Sequence, residues 1–198
     1  MNHIIIFIKN PQLGKVKTRL AATMGDEKAL EIYHKLLSVT KETVAQVDAK
    51  YHLFYSDFID REDDWDNDIF VKYVQQGEDL GARMSHAFHT VFSSTDHTEI
   101  NKVTIIGSDC AELTPAILNM AFTILKDADV VVGPTFDGGY YLLGMKDHHT
   151  ELFKNISWST ESVYEETNDV AKRLNLNIAD LPTLNDIDNE KDWINYTG

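Results

Sequence analysis

Apolar and polar positions along the chain switch repeatedly between a strand-like and a helix-like period. The first run, Ile4-Ile5-Ile6-Phe7-Ile8, is continuous and mostly β-branched, as a central strand buried on both faces should be. Asn10-Pro11 ends it, and a loop containing Gly14 follows. A helical pattern starts near Lys17 and resumes from Asp26, with Ala29, Leu30, Tyr33, Leu36, Leu37, Val44 and Val47 at helical spacing. Tyr51–Tyr55 and Ile69–Val74 read as strands, and the acidic stretch from Asp57 to Asp68 between them reads as a solvated loop. Gly81 opens a helix with Met84, Ala87, Phe88, Val91 and Phe92 on one face. Lys102–Gly107 is another buried strand, and Thr114-Pro115 is a cap followed by proline at the first helical position. Asp129–Gly133 and Tyr140–Met145 are further strands. A helix from Ser159 or Thr160 towards Leu174, a late strand at Leu176–Ala179 and a short helix after Asp188 complete the pattern. Strands alternating with helices predict an α/β domain, a mostly parallel sheet with helices on both faces.

Composition narrows what such a domain can do. At 198 residues, one core burying roughly 70% of the unfolded surface is expected, so residues 1–198 read as a single domain. The formal charge is −14, which argues against nucleic-acid binding and against docking on anionic membranes. Yet residues 1–25 hold no Asp or Glu and carry Lys9, Lys15, Lys17 and Arg19, a cationic island in an acidic protein. Cys110 is the only cysteine, which excludes an intrachain disulfide and a cysteine-rich zinc site. The five-residue run Ile4–Ile8 with its cation behind it fits neither a signal peptide nor a membrane span, so the expected location is the cytoplasm.

In an open α/β sheet, ligands sit beyond the carboxyl ends of the strands, where the loop from Asn10 to Thr18 falls. Gly14 allows backbone N–H groups to approach a phosphate, the following helix aims its positive end there, and Lys15, Lys17 and Arg19 add charge. The loop is neither a Walker A sequence nor a dinucleotide fingerprint. Asp109 follows the buried run Val103-Thr104-Ile105-Ile106-Gly107, so it emerges at the same edge, with Gly107 and Ser108 leaving room for a ligand. A hard divalent cation such as Mg²⁺ uses one or two carboxylates plus substrate phosphates, and Asp186 or Asp188 could supply the second. Against this, Asp109 could cap the turn into the next helix and Asp188 could cap the last one. Asp137-Gly138-Gly139 permits close backbone approach to a ligand but is equally a hairpin turn. Arg83, in the first turn of its helix, could point into the cleft; Cys110 and Trp158 read as packing residues.

Several segments carry a resemblance together. They are Phe7-Ile8-Lys9-Asn10-Pro11 with Gly14-Lys15-Val16-Lys17-Thr18-Arg19-Leu20, Gln76-Gly77-Glu78-Asp79-Leu80-Gly81-Ala82-Arg83-Met84, and Ile106-Gly107-Ser108-Asp109-Cys110. Gly133-Pro134, Asp137-Gly138-Gly139-Tyr140-Tyr141-Leu142-Leu143-Gly144, Trp158-Ser159-Thr160 and Asp186-Ile187-Asp188 follow in order. From residue 3 to about 194 the chain resembles the bacterial transferases associated with radical-SAM/selenium-domain gene clusters, usually labelled glycosyltransferases. Ala111 departs from the proline usual there, without moving the carboxylate. The resemblance implies the nucleotide-diphospho-sugar transferase (GT-A) fold, a three-layer α/β/α sandwich on a mostly parallel mixed sheet. It implies Mg²⁺ or Mn²⁺ held by Asp109 and Asp188. It also implies phosphate or nucleotide contacts from Lys9, Gly14, Lys15, Lys17, Thr18, Arg19, Gln76, Arg83 and Ser108, and substrate contacts from Gly138, Gly139, Tyr140 and Trp158.

Two reactions fit these residues. In glycosyl transfer from a nucleotide-sugar to a small-molecule acceptor, Asp109 and the metal stabilise the departing diphosphate and Asp137 is the candidate base. In nucleotidyl transfer, a phosphorylated acceptor attacks a nucleoside triphosphate and pyrophosphate leaves. The lysine-rich loop suits the second, and Lys17-Thr18-Arg19-Leu20 looks like the loop of small guanylyltransferases. Family resemblance places glycosyl transfer first. A non-catalytic nucleotide sensor is the third reading.

Overall fold

The computed structural model describes residues 1–95 and 100–197. Ile4, Ile5 and Ile6 are completely buried, because β1 (Asn2–Ile8) lies between two parallel neighbours, β2 (Lys50–Tyr55) and β4 (Lys102–Ile106). Full burial of each such side chain contributes about 1.5–3 kcal/mol. β3 (Phe70–Val74) extends the sheet beyond β2. On the other side, β6 (Tyr140–Met145) runs antiparallel between β4 and β5 (Val130–Pro134), and β7 (Ile178–Asp180) closes the edge parallel to β5. The order is β3-β2-β1-β4-β6-β5-β7. β6 is reversed because only residues 135–139 join it to β5, too few for a parallel crossover.

The two faces of β1 carry separate cores. Ile4, Ile6 and Ile8 pack with Tyr33, Leu37 and Val44 of α2 (Asp26–Val44) and Leu118, Ala121 and Phe122 of α4 (Pro115–Ile124). Ile5 packs with Met84 and Phe88 of α3 (Leu80–Ser94) and Val163 and Val170 of α5 (Val163–Arg173). α1 (Thr18–Met24) is cut from α2 by Gly25 at φ 83°, and α6 (Glu190–Thr197) ends the described chain. Helix starts follow the local chemistry: Thr114 accepts from the Ile117 N–H ahead of Pro115, and Asp79 accepts from Ala82. Among the described residues no helix is long and apolar enough to cross a membrane.

Two segments differ from their sequence patterns. α5 begins at Val163, not at Ser159 or Thr160, since Ser159 is left-handed at φ 65° and Thr160 Oγ1 donates back to the Ser157 carbonyl. The acidic stretch 57–68 is anchored as well as solvated. Asp63 accepts from Lys72 Nζ at 2.6 Å and from the Tyr55 hydroxyl at 2.5 Å, and Trp65 is buried in the core.

A buried histidine pair sits at the opposite end of the sheet from the strands' carboxyl ends. His3 Nδ1 and His52 Nε2 are 3.1 Å apart. Burial, then the neighbouring His3 and Lys50, pushes His52 down to about 3, and burial lowers His3 as well. The unfolded chain, with histidine near 6.5, therefore binds protons that the native state refuses as pH falls below about 6.5. Stability is full above that value and declines towards the lower folded pKa. Between pH 7 and pH 5 the pair's own contribution should fall by about 2 kcal/mol, read as the change across that window in the urea-midpoint difference between the wild type and a variant without the pair. A His3→Asn/His52→Gln variant should lose distinctly less; an identical pH profile would show that the pair does not titrate on unfolding.

Candidate active site

Every parallel strand but β2 is followed at one edge by a segment that holds candidate residues, and hydrogen bonds tie these loops together. Asn10, buried behind β1, accepts from the Asp57 and Phe58 N–H groups and donates to the Phe58 carbonyl. Gln75 donates to the carbonyls of Ile8 and Phe54. Tyr33, on α2, accepts from the Lys9 N–H at 2.8 Å and donates to its carbonyl at 3.1 Å. Its hydroxyl also lies 3.3 Å from Ser108 Oγ. One helix thus fixes both the cationic loop and the residue preceding Asp109.

The centre is a convergence of carboxylates on one ammonium. Lys17, left-handed at φ 48° just before α1, has its side chain 5% exposed. Its Nζ lies 2.7 Å from Asp109 Oδ1 and 3.7 Å from Asp188 Oδ1, and donates to the Ile187 carbonyl at 2.6 Å. Arg19 reaches Asp188 Oδ2 at 3.2 Å. The Ile187 N–H donates to the Asp109 carbonyl, so the late loop is stitched directly to the end of β4. Asp186 completes the group. Burial, with Asp109 and Asp188 next and Asp137 adding less, raises its carboxyl to about 7 despite an opposing effect from Lys17. The site therefore holds more negative charge than the one enclosed ammonium offsets.

The alternative roles of Asp109 and Asp188 as helix caps go to other residues. Thr114 caps α4. Asn189 Oδ1 accepts from the Lys191 and Asp192 N–H groups at the start of α6, while Asp192 accepts from the Asp188 and Asn189 N–H groups. Both carboxylates are thereby left to the cleft.

The family model described as "Uncharacterized protein conserved in bacteria (DUF2064)" matches residues 39–160. The chain belongs to the DUF2064 family. A solved protein from Desulfovibrio desulfuricans G20, provisionally described as a nucleotide-diphospho-sugar transferase, is 31% identical, with 95% of this chain and 82% of the other aligned at a TM-score of 0.85. Rv0371c of Mycobacterium tuberculosis, solved with manganese, is 11% identical over 98% of this chain and 96% of its own, at 0.57. A CMP:2-keto-3-deoxy-manno-octonic acid synthetase solved with CTP is also 11% identical, over the same shares, at 0.55. The last two are likenesses of fold. No curated protein sequence matches the chain. The DUF2064 chain has the nucleotide-diphospho-sugar transferase fold that its motifs imply.

Within this DUF2064 site the sequence candidates separate. Lys9 and Lys15 are exposed on the loop around Gly14, which turns at φ 74°, and Thr18 and Arg19 are exposed in the first turn of α1. Gln76 is exposed beyond β3, but it is Gln75 that holds the strand ends. Arg83 Nε donates to the Gly77 carbonyl and so braces the turn before α3. Ser108 is buried, with its hydroxyl turned to Tyr33. Asp137 accepts from Thr135 Oγ1 and the Gly139 N–H through Oδ1, a turn that places it among the carboxylates felt by Asp186. Gly138, at φ 88°, lies against the Glu161 carbonyl, where a Cβ would overlap the backbone. Tyr140 points its hydroxyl towards Met84, and Trp158 packs on Gly81, so both are held among the core side chains of α3. Cys110 is buried, with burial pushing its thiol up to about 12, as for an inert packing residue. Tyr33 and Asn10 were the unforeseen members of the group, whereas Asp186 had stood as the alternative to Asp188 for the second carboxylate.

Among the described residues no three His, Cys, Asp or Glu side chains already form a metal-ligand set. The donors that face Lys17 are two carboxylates and one carbonyl, all hard oxygens, beside a third carboxylate that is under-neutralised. That set suits Mg²⁺ or Mn²⁺ completed by substrate phosphates.

Proposed function

We propose that this protein is a metal-assisted transferase that breaks a bond to the diphosphate of a nucleotide donor, and that glycosyl transfer from a nucleotide-sugar is its reaction. The observation carrying this is the meeting of Asp109 and Asp188 on one cation position beside the Gly14 loop. Asp109 and Asp188 would hold the divalent ion, which supplies charge neutralisation for the departing diphosphate. The loop N–H groups around Gly14, with Lys9, Lys15 and Arg19, bind and orient the phosphates. Asp137 takes the proton of the acceptor hydroxyl. Both of its hydrogen bonds fall on Oδ1 and the residue is exposed, which leaves Oδ2 to that task. The 31% identical relative described as a nucleotide-diphospho-sugar transferase supports glycosyl transfer over other chemistry.

Nucleotidyl transfer is the second reading, favoured by the density of cations on residues 9–19. A triphosphate carries more charge for them to hold, and a phosphorylated acceptor is an anionic nucleophile needing no base. Incubation with Mn²⁺ and a panel of nucleotide-sugars and nucleoside triphosphates separates the two. Selective binding of a nucleotide-sugar, with slow release of free sugar and nucleoside diphosphate, is expected. A triphosphate bound at least tenfold tighter, about 1.4 kcal/mol, with pyrophosphate released, would replace the first reading by the second.

A further inference from the structure

Lys17 is held differently from every other cation of the loop. Its side chain is almost wholly enclosed, whereas Arg19 is 76% exposed and Lys9 and Lys15 lie at the surface. Three oxygens converge on its ammonium, from Asp109, Asp188 and the Ile187 carbonyl. Its backbone occupies the left-handed region, which is strained for a non-glycine residue and persists only where the surroundings over-determine it. An ammonium surrounded by two carboxylates and a carbonyl sits where the same hard oxygens would hold a divalent ion.

We infer that Lys17 is a built-in occupant of the metal seat, so that the divalent ion enters only by displacing its ammonium, and that the donor's diphosphate receives the displaced lysine. This rests on the metal-assisted reading above and adds its regulation. Without a phosphate partner, displacement would strand a buried ammonium, and breaking a buried pair in that way is strongly unfavourable. With a diphosphate beside the Gly14 loop, the same ammonium gains a charge-assisted bond to phosphate oxygen. Metal and donor therefore enter as a pair, and the protein does not hold a reactive ion at rest. No covalent bond changes in this exchange; one cation replaces another on the same oxygens.

The test is a titration of the intact protein with Mn²⁺ alone, followed by calorimetry and by the paramagnetic resonance signal of free Mn²⁺. Lys17→Met, near-isosteric without the charge, should bind Mn²⁺ at least tenfold more tightly than the wild type. Lys17→Asn, which suits the left-handed backbone better, guards against a folding defect and should give the same gain. Lys15→Met removes an equal charge from the same loop without vacating the seat, and should change Mn²⁺ affinity by less than threefold. Equal Mn²⁺ affinity in the wild type and both Lys17 variants would overturn the inference, and so would an equal gain in Lys15→Met, which would mean long-range charge alone. If the wild type binds a nucleotide only with Mn²⁺ while the Lys17 variants show no gain, the occupant role falls and the transferase reading stands. If no protein in the set binds Mn²⁺ or any nucleotide, both fall.

Discussion

Asp109→Asn should leave the fold standing and remove metal-dependent nucleotide binding. The asparagine amide oxygen can still accept from Lys17 Nζ, now 2.7 Å from Asp109 Oδ1, and the backbone bond from the Ile187 N–H to the residue 109 carbonyl is untouched. The loss in stability should be about 1–2 kcal/mol, the scale of one charge-assisted hydrogen bond. The loss in ligand binding should be larger. Altering a partner outside the coordination sphere already costs about 10–100-fold in metal affinity, so removing a ligating charge should exceed about 100-fold. Calorimetric titration of a bound nucleotide in Mn²⁺ and in chelator reads the effect. Unchanged Mn²⁺ dependence in the variant would take Asp109 out of the metal site.

Gly138→Ala should be the most damaging single methyl in the site. The position is left-handed at φ 88°, and a Cβ would overlap the Glu161 carbonyl, which belongs to backbone and cannot rotate away. The strained conformation costs about 1–2 kcal/mol, and forcing the overlap costs about 1–3 kcal/mol more. Since the Tyr164 N–H donates to the Gly138 carbonyl, relief by moving the 135–139 turn would detach it from the start of α5. At roughly 2–4 °C per kcal/mol for a domain of this size, a drop of at least about 4 °C in thermal midpoint is expected. A midpoint within one degree of the wild type would mean that the turn and residues 157–162 do not stay in contact.

The contrast between these two positions reflects what the chain displays locally. The isoleucine run of β1, the inward stripe of α3 and the Thr114-Pro115 start of α4 were legible because period and capping are properties of neighbouring residues. The edge of the sheet that carries the chemistry was legible for the same reason: Gly14, Asp109 and Asp137 all follow strand-like runs. Tyr33 was not. At helical spacing among Ala29, Leu36 and Leu37 it reads as a core aromatic, and only the fold brings its hydroxyl to Lys9 and Ser108. The choice between cap and cleft for Asp188 depended on Asn189, one residue later, taking the cap. Lys17 lies about 90 residues from Asp109 and 170 from Ile187, and the turn that joins them leaves no periodic trace. The acidic stretch concealed Asp63 because its partners, Lys72 and Tyr55, stand on two different strands.

On the reading proposed above, Asp109 and Asp188 share one divalent cation with the phosphates of a nucleotide donor. Crystals grown with Mn²⁺ and the best-binding member of the donor panel, measured at a wavelength where manganese scatters anomalously, test it most directly. A strong anomalous peak is expected between the two carboxylates, about 2.1 Å from oxygens of Asp109, Asp188 and the donor's phosphates, with the Lys17 ammonium moved off that point onto phosphate. A donor bound at this edge with no manganese between Asp109 and Asp188, or with manganese only among the carboxylates of residues 57–68, would contradict it.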